Sequence, residues 1–223
     1  ARTTAPRIKE TIPGEDTKFI AILRNPADRA YSHYWYNRNL KSWGENLSFE
    51  NALSNEEQQP SKRMEYSAAR YSSTKDYFKN GQYSLCLKEY FNYFKREQFL
   101  FLLFEDIFRE QFQATTTRLT GFLNIENVDI GYTKENQSRR VGARPTVKFV
   151  RKQRGLMNLL KSFLPDSIQN AMKNQYSKMI SKPVKYPPMK LRTRKMLLDK
   201  YKPGIIELEE IIGRDLSHWK NAE

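Results

Sequence analysis

The chain has 223 residues, a formal net charge of +14, one cysteine and two histidines. One cysteine excludes an internal disulfide. One cysteine and two histidines also make a Cys/His metal site improbable. No apolar run reaches the roughly 18 residues that cross a bilayer. The positive charge attracts polyanions such as nucleic acid, anionic membranes or phosphorylated and sulfated small molecules, although a solvated basic face would give the same balance.

The N-terminal part of the chain predicts a helix, a strand and a second helix. APRIKETI (5–12) has the pattern of a short helix, and KFIAIL (18–23) is an apolar strand that suits a parallel sheet covered on both faces. The second helix should run from Pro26 to about Asn39, because Asn25 can cap it and proline fits the first helical position.

The middle of the chain predicts two further helices around a second strand. A polar helix flanked by loops is expected within 41–63, and an amphipathic helix over 84–94. The apolar run at 98–107 predicts the second strand, and a helix that ends near Gly121 follows it. Residues 126–145 show no apolar period and are predicted to form a loop.

The C-terminal part is helical and basic in pattern. After Pro145, helices are expected over 148–164 and 166–176, where basic side chains could attract an anionic acceptor or could simply be solvated. The stretch 191–212 predicts two amphipathic helices separated near Pro203, because proline breaks the hydrogen-bond pattern of a helix interior.

Strands that alternate with helices predict an α/β fold built on a parallel sheet. Only two runs are convincing strands, and two strands alone do not form a stable parallel sheet. We therefore expect an incomplete sheet: either further strands escape the pattern, or sequence before Ala1 supplies them. Neither G-x-x-x-x-G-K-[ST] nor G-x-G-x-x-G occurs among the nine glycines, which excludes an ordinary nucleotide P-loop within these residues.

Polar side chains follow the first strand at the edge where open α/β sheets bind ligands. Arg24 stands at the carboxyl end of that strand, and the next helix should direct free N–H groups to the same place. Ser32 lies almost two turns past the capping Asn25 and returns to its face. A guanidinium and a hydroxyl on one face can hold a phosphate. The alternative is a solvated Arg24 and a Ser32 that packs without a ligand.

The stretch LRNPADRAYSHY (23–34) resembles the 3′-phosphate-binding segment of the sulfotransferases that use 3′-phosphoadenosine-5′-phosphosulfate (PAPS). In that family a strand is followed by Arg-[Asn/Asp]-Pro and a helix that carries Ser eight residues after the Arg, a spacing that Arg24 and Ser32 keep. The resemblance is nearest to the bacterial and glycosaminoglycan branch and covers residues 5–219.

Three further stretches agree with that branch in order and distance, namely NGQYSLCLKEYFNYFKREQFLFLLFEDI (80–107), KPVKYPPM (182–189) and LLDKYKPGIIELEEIIGRDLSHW (197–219). The resemblance implies a P-loop-NTPase-like parallel sheet flanked by helices, with a helix-rich C-terminal half, in a single sulfotransferase-like domain over residues 1–223. It also implies which residues bind the cofactor: Arg24 and Ser32 on the 3′-phosphate, and Lys182, Lys185 and Tyr186 in a late loop around it.

The activity that the resemblance implies is transfer of a sulfuryl group from PAPS to an acceptor hydroxyl or amine, on a carbohydrate or other small metabolite. The product nucleotide is PAP (adenosine 3′,5′-bisphosphate), and no metal is required. We expect no nucleic-acid partner and no membrane span. The alternatives are a basic nucleic-acid-binding module and a catalytically inactive relative that binds PAP. The sequence specifies neither the acceptor nor the oligomeric state.

Two elements of the family are not found in the sequence. One is the lysine-containing loop that grips the 5′-phosphosulfate, and the other is the catalytic base, a Glu in a Gly-Glu-Lys-[Ser/Thr]-Pro-like segment. Both would lie upstream of Ala1. We therefore expect residues 1–223 to hold the 3′ end of the nucleotide and to lack the groups for chemistry. No residue of the chain is assigned as catalytic.

The chain also departs from the family pattern in its late loop. Pro183-Val184 replaces Gly-Arg and removes one guanidinium, which Arg192, Arg194 or Arg144 could replace. The glycosaminoglycan enzymes commonly carry a disulfide beside this loop, which a single cysteine forbids. That difference favours a bacterial-like cytoplasmic enzyme over one in the Golgi lumen.

Other polar residues near these motifs are interpreted as structural. His33 follows Ser32 but points about 100° away from it on a helix, so we interpret it as a structural or rim histidine. Glu105 and Asp106 could be catalytic carboxylates, but we interpret them as groups that orient a loop or pair with an arginine. Tyr83 could stack on adenine and is interpreted as a core tyrosine.

Overall fold

The computed structural model describes residues 4–39, 45–58, 75–107, 112–126, 139–141, 181–183 and 186–221. The chain divides into two compact units, Ala1–Tyr132 with Pro188–Glu223, and Thr133–Pro187. Within the described residues, no helix combines the length and the apolar character that a membrane span needs. The expectation of a single domain over residues 1–223 stays a prediction.

The larger unit contains two strands, and helices precede and follow each of them along the chain. The strands are β1 (Phe19–Leu23) and β2 (Phe99–Leu103). The helices are α1 (Thr4–Thr11), α2 (Pro26–Asn39), α3 (Phe49–Gln58), α4 (Tyr83–Phe91), α5 (Phe104–Ile107), α6 (Phe112–Leu123), α7 (Leu191–Ile212) and α8 (Ser217–Lys220), with single 3₁₀ turns at Lys79–Gly81 and Arg96–Gln98. The predicted helices in the first half of the chain and both predicted strands are confirmed.

β1 and β2 pair in parallel over five consecutive residues. Phe19 stands opposite Phe99 at one end, and Leu23 stands opposite Leu103 at the other. Leu23, Phe99 and Leu103 belong to the buried core. On the other face of β1, Ile20 and Ile22 are 44% and 57% exposed. Among the described residues, the sheet of the larger unit consists of these two strands, and β1 is covered on one face rather than on both.

α7 runs unbroken from Leu191 to Ile212 with Pro203 inside it, so the prediction of two separate helices is wrong. A proline costs about 3 kcal/mol in a helix interior. Buried side chains recur at helical spacing before and after the proline, at Leu197, Leu198, Tyr201, Ile205, Leu208 and Ile212. Each buried large apolar side chain contributes roughly 1.5–3 kcal/mol, so one continuous buried face offsets the cost of the proline.

The smaller unit contains two short strands where loops were predicted. β3 (Arg139–Val141) and β4 (Ser181–Pro183) pair antiparallel, with Arg140 opposite Lys182. The loop predictions for 126–145 and 182–189 are therefore wrong at these strands. Antiparallel pairing depends on main-chain hydrogen bonds, and three-residue strands are too short for an apolar period to reveal them. The basic helices predicted at 148–164 and 166–176 lie outside the described residues.

The turn before α4 packs directly against α7. The hydroxyl of Tyr201 donates to the carbonyl of Phe78 at 2.8 Å, and the two rings stack with centroids 4.5 Å apart. A Cβ atom placed on Gly81 would lie 2.6 Å from the Tyr201 hydroxyl oxygen. Only glycine permits this approach, because Tyr201 is buried and held by its hydrogen bond.

Gly81→Ala should therefore lower the free energy of unfolding by about 1–3 kcal/mol, the usual effect of overpacking a core. Urea unfolding followed by circular dichroism measures the change. Gly121→Ala is the matched control, because a Cβ at that exposed position on α6 meets no atom within 4 Å, and alanine there should stabilise the helix by up to about 1 kcal/mol. Equal stabilities of the two variants would contradict this reading of the contact.

A buried hydrogen-bond network joins α2 to the segment that precedes α4. The hydroxyl of Tyr77 donates to Glu45 Oε2 at 2.9 Å and accepts from Asn37 Nδ2 at 3.2 Å. His33 Nε2 lies 3.3 Å from the same amide nitrogen, and its ring lies 5.1 Å from the Tyr77 ring between centroids. Burial, and then the neighbouring Arg29, lower the pKa of His33. These contacts support the interpretation of His33 as a structural residue.

His33 should make the protein less stable as the pH falls from about 7 to about 5. The unfolded chain takes up the proton near the ordinary histidine pKa of about 6.5, whereas the folded protein takes it up at a lower pH. The free energy of unfolding therefore falls as the pH drops through that interval. His33→Gln should reduce the loss between the two pH values in urea titrations, and His218→Gln, at an exposed position, should not. An unchanged loss in His33→Gln would show that the imidazole does not contribute.

Candidate anion-binding site at the end of the parallel sheet

The parallel register brings the residues after β1 and β2 together at one edge of the sheet. Leu23 stands opposite Leu103. Arg24 and Phe104 are the next residues along the chain after these two. The guanidinium carbon of Arg24 lies 4.7 Å from the centroid of the Phe104 ring. The backbone N–H of Asn25 donates to Glu105 Oε1 at 3.3 Å. The paired strands thus fix the position of Arg24 next to the start of α5.

Asn25 links this edge to α2 and to the C-terminal part of the chain. Its Oδ1 accepts hydrogen bonds from the N–H groups of Ala27 at 3.0 Å and Asp28 at 3.4 Å, and its Nδ2 donates to the carbonyl of Trp219 at 3.2 Å. α2 begins at Pro26, as predicted, and proline has no N–H. The donors of the first turn are therefore satisfied within the protein, so the expectation that α2 offers free N–H groups to an anion is wrong.

The backbone of Arg24 is held from the other side by α4. The hydroxyl of Tyr83 donates to the Arg24 carbonyl at 3.0 Å. Burial raises the pKa of Tyr83 to about 12, so this hydroxyl keeps its proton and remains a donor at neutral pH. Tyr83 therefore supports the main chain of the candidate site, and it packs against the core, in agreement with its interpretation as a core tyrosine.

The side chain of Arg24 retains its capacity to bind an anion. It is half-buried, and within the described part of the chain its guanidinium contacts the Phe104 ring but makes no ion pair or hydrogen bond. A guanidinium carries five N–H donors in one plane. Because these donors make no hydrogen bond within the described residues, they are available for a bidentate bond to a phosphate.

Ser32 presents an exposed hydroxyl on α2. One turn before it, Asp28 pairs with Arg194 of α7, with Nη1 and Oδ1 2.5 Å apart. Of the three arginines that could replace the missing guanidinium of the late loop, Arg194 is thus already neutralised and Arg192 is exposed. Arg144 lies outside the described residues.

The acidic pair at the start of α5 has structural partners. Glu105 Oε1 accepts the N–H of Asn25, and Asp106 Oδ2 lies 2.5 Å from Arg214 Nη1. Glu105 Oε2 is buried and has no hydrogen-bond partner in the part of the chain that the structure describes. These contacts support the interpretation that the pair orients the loop and engages an arginine.

The residues predicted for the late loop lie in the smaller unit. Lys182 belongs to β4, where its main chain pairs with Arg140. Lys185 lies outside the described residues, and Tyr186 is half-buried. The assignment of Lys182, Lys185 and Tyr186 to one site with Arg24 and Ser32 stays a prediction.

Phe104 is the residue at this edge that the sequence interpretation missed. The signal was present: an arginine directly follows one strand, and an aromatic residue directly follows its parallel neighbour. The register that brings them together was not defined by either strand alone. Arg24 carries charged donors and Ser32 carries a neutral one, and the assignment of both to a 3′-phosphate stays a prediction.

Comparisons with known proteins identify the family of the chain. The family model described as the sulfotransferase domain matches residues 3–182. The structure is similar to the crystal structure of a sulfotransferase from Alicyclobacillus acidocaldarius, with 25% sequence identity and a TM-score of 0.61. The alignment covers 99% of this chain and 63% of that one, so the chain spans just under two thirds of the length of that relative. No curated protein sequence matches the chain.

The family match extends from the segment before β1 to β4 and includes both strands and the helix that carries Ser32. It covers most of the 223 residues. The structural similarity extends over nearly the whole chain and shows the same helix-rich α/β architecture. The chain therefore belongs to the sulfotransferase domain family.

Proposed function

We propose that the protein is a PAPS-dependent sulfotransferase in which Arg24 and Ser32 bind the 3′-phosphate of the cofactor. The observation that carries this proposal is that Arg24 is held in place but not neutralised. Its main chain is fixed at the end of β1, its side chain rests on an aromatic ring, and its guanidinium has no acidic partner among the described residues. A cation that is fixed in place but not neutralised is suited to an anionic ligand.

Ser32 adds a neutral donor on the helix that follows Arg24. Its hydroxyl is exposed and, within the described residues, makes no hydrogen bond. Since the first-turn N–H groups of α2 are capped by Asn25, recognition of the phosphate at this edge would depend on side chains. We propose that Lys182, Lys185 and Tyr186 complete the enclosure of the 3′-phosphate.

The proposed reaction is transfer of a sulfuryl group to an acceptor hydroxyl or amine, on a carbohydrate or other small metabolite that can itself be anionic. PAPS would supply the sulfuryl group, and PAP would remain. The role of the residues in this chain is to hold and orient the 3′ end of the nucleotide. We propose no catalytic base among them and no metal.

The proposed architecture is a P-loop-NTPase-like parallel sheet flanked by helices, in a single sulfotransferase-like domain over residues 1–223. The single cysteine supports a bacterial-like enzyme of the cytoplasm, a reducing compartment.

Isothermal titration calorimetry with adenosine 3′,5′-bisphosphate tests the proposal. Arg24→Ala should weaken binding by about 10- to 100-fold, and Ser32→Ala by about 2- to 10-fold, in line with charged and neutral hydrogen bonds. Arg118→Ala on α6 and Ser54→Ala on α3 are matched controls at exposed positions and should leave the affinity unchanged.

The same titration separates the competing functions. The absence of saturable bisphosphate binding, or binding that ignores Arg24→Ala, would reject the proposed site. Salt-sensitive binding of a DNA oligomer without a response to the bisphosphate would identify a nucleic-acid-binding module instead. Bisphosphate binding without sulfuryl transfer by the full-length protein would identify an inactive relative.

A further inference from the structure

We propose that Phe104 is a positioning residue for Arg24: its ring holds the guanidinium so that the N–H edge faces a 3′-phosphate, and it thereby sets the preference of the site for 3′-phosphorylated nucleotides. This inference rests on the proposed function, because it concerns the same cofactor site. It adds a residue that contacts no reacting group and acts through Arg24.

The first step of the argument is the location of Phe104. It directly follows β2, just as Arg24 directly follows β1, and the two strands pair so that the preceding residues, Leu23 and Leu103, stand opposite each other. The contact between ring and guanidinium is therefore a continuation of the sheet register. It depends on the parallel pairing of β1 with β2.

The second step concerns the competing partner of Arg24. Glu105, next to Phe104 in the sequence, has a buried Oε2 atom that lacks a hydrogen-bond partner within the described residues. An arginine and a carboxylate at the same edge would ordinarily pair, and such a pair would neutralise the cation. The guanidinium instead rests on the Phe104 ring, 4.7 Å from its centroid.

The third step is what the ring contact provides. The negative face of an aromatic ring attracts a cation, and the guanidinium of Arg24 makes this contact while forming no hydrogen bond within the described residues. With the main chain also held by Tyr83, the side chain loses less conformational freedom when a ligand binds. Such preorganisation increases affinity. Without the ring, the guanidinium could turn toward Glu105 and lose its available edge.

The test compares the dissociation constants of adenosine 3′,5′-bisphosphate and adenosine 5′-phosphate by calorimetry. The dissociation constant of the monophosphate divided by that of the bisphosphate measures the contribution of the 3′-phosphate alone. Phe104→Leu should reduce this ratio by about 2- to 30-fold, the range of a cation–π contact, while the affinity for the monophosphate stays nearly constant. Phe104→Tyr, which keeps the ring, should preserve the ratio.

Two further variants separate positioning from general packing. Phe104→pentafluorophenylalanine keeps the shape of the ring but removes its negative face, so it should also reduce the ratio, and it serves where the leucine variant fails to fold. Phe122→Leu removes a ring that lies 5.6 Å from the Lys18 ammonium at another position, and it should leave the ratio unchanged.

A double-mutant cycle distinguishes failure of this inference from failure of the proposed function. In an Arg24→Ala background, Phe104→Leu should have no further effect on the ratio, because its action passes through Arg24. If Arg24→Ala lowers the ratio but neither Phe104→Leu nor the fluorinated ring does, the inference is wrong and the phosphate site stands. If Arg24→Ala leaves the ratio unchanged, the proposed function is wrong as well.

Discussion

Parallel pairing of β1 with β2 determines which residues leave the sheet side by side. Because each residue of one strand has a fixed partner on the other, the chain emerges with Arg24 beside Phe104 and Asn25 beside Glu105. A hydrogen bond from the Asn25 main chain to the Glu105 side chain and the contact of Arg24 with the Phe104 ring then help to hold the start of α2. The position of Arg24 in the candidate site is thus a product of backbone register.

Helix α2 is held along its length by three other parts of the chain. Asn25 caps the helix and also reaches the carbonyl of Trp219, while Asp28 pairs with Arg194 at the start of α7. Further along, the buried amide of Asn37 bonds to Tyr77. These bonds leave few polar groups of α2 uncommitted, and the exposed Ser32 is among those that remain. Most polar groups of α2 thus have structural partners, whereas the hydroxyl of Ser32 is available to a ligand.

Local signals predicted the first half of the fold well. The cap and the proline defined the start of α2, and apolar runs located both strands, because these features depend on neighbouring residues alone. The continuity of α7 through Pro203 was missed, since the buried contacts that hold the helix together come from distant elements. For the same reason the sequence led to a prediction for Arg24 and Ser32 but not to the contact between Arg24 and Phe104, which depends on strand register. The capping of α2 was predicted, yet its consequence, that no first-turn donor remains for an anion, became clear only from the hydrogen bonds.

The bond between Asn25 and Trp219 joins residues that are separated by 194 positions. A ribosome synthesises the strand and helix around Asn25 early, but the carbonyl that completes its contacts emerges almost two hundred residues later. Contacts of such high sequence separation form slowly. The candidate site at this edge can therefore reach its final geometry only after Trp219 has been synthesised, so an arrested nascent chain that contains Arg24 and Ser32 but not Trp219 would still lack the finished edge.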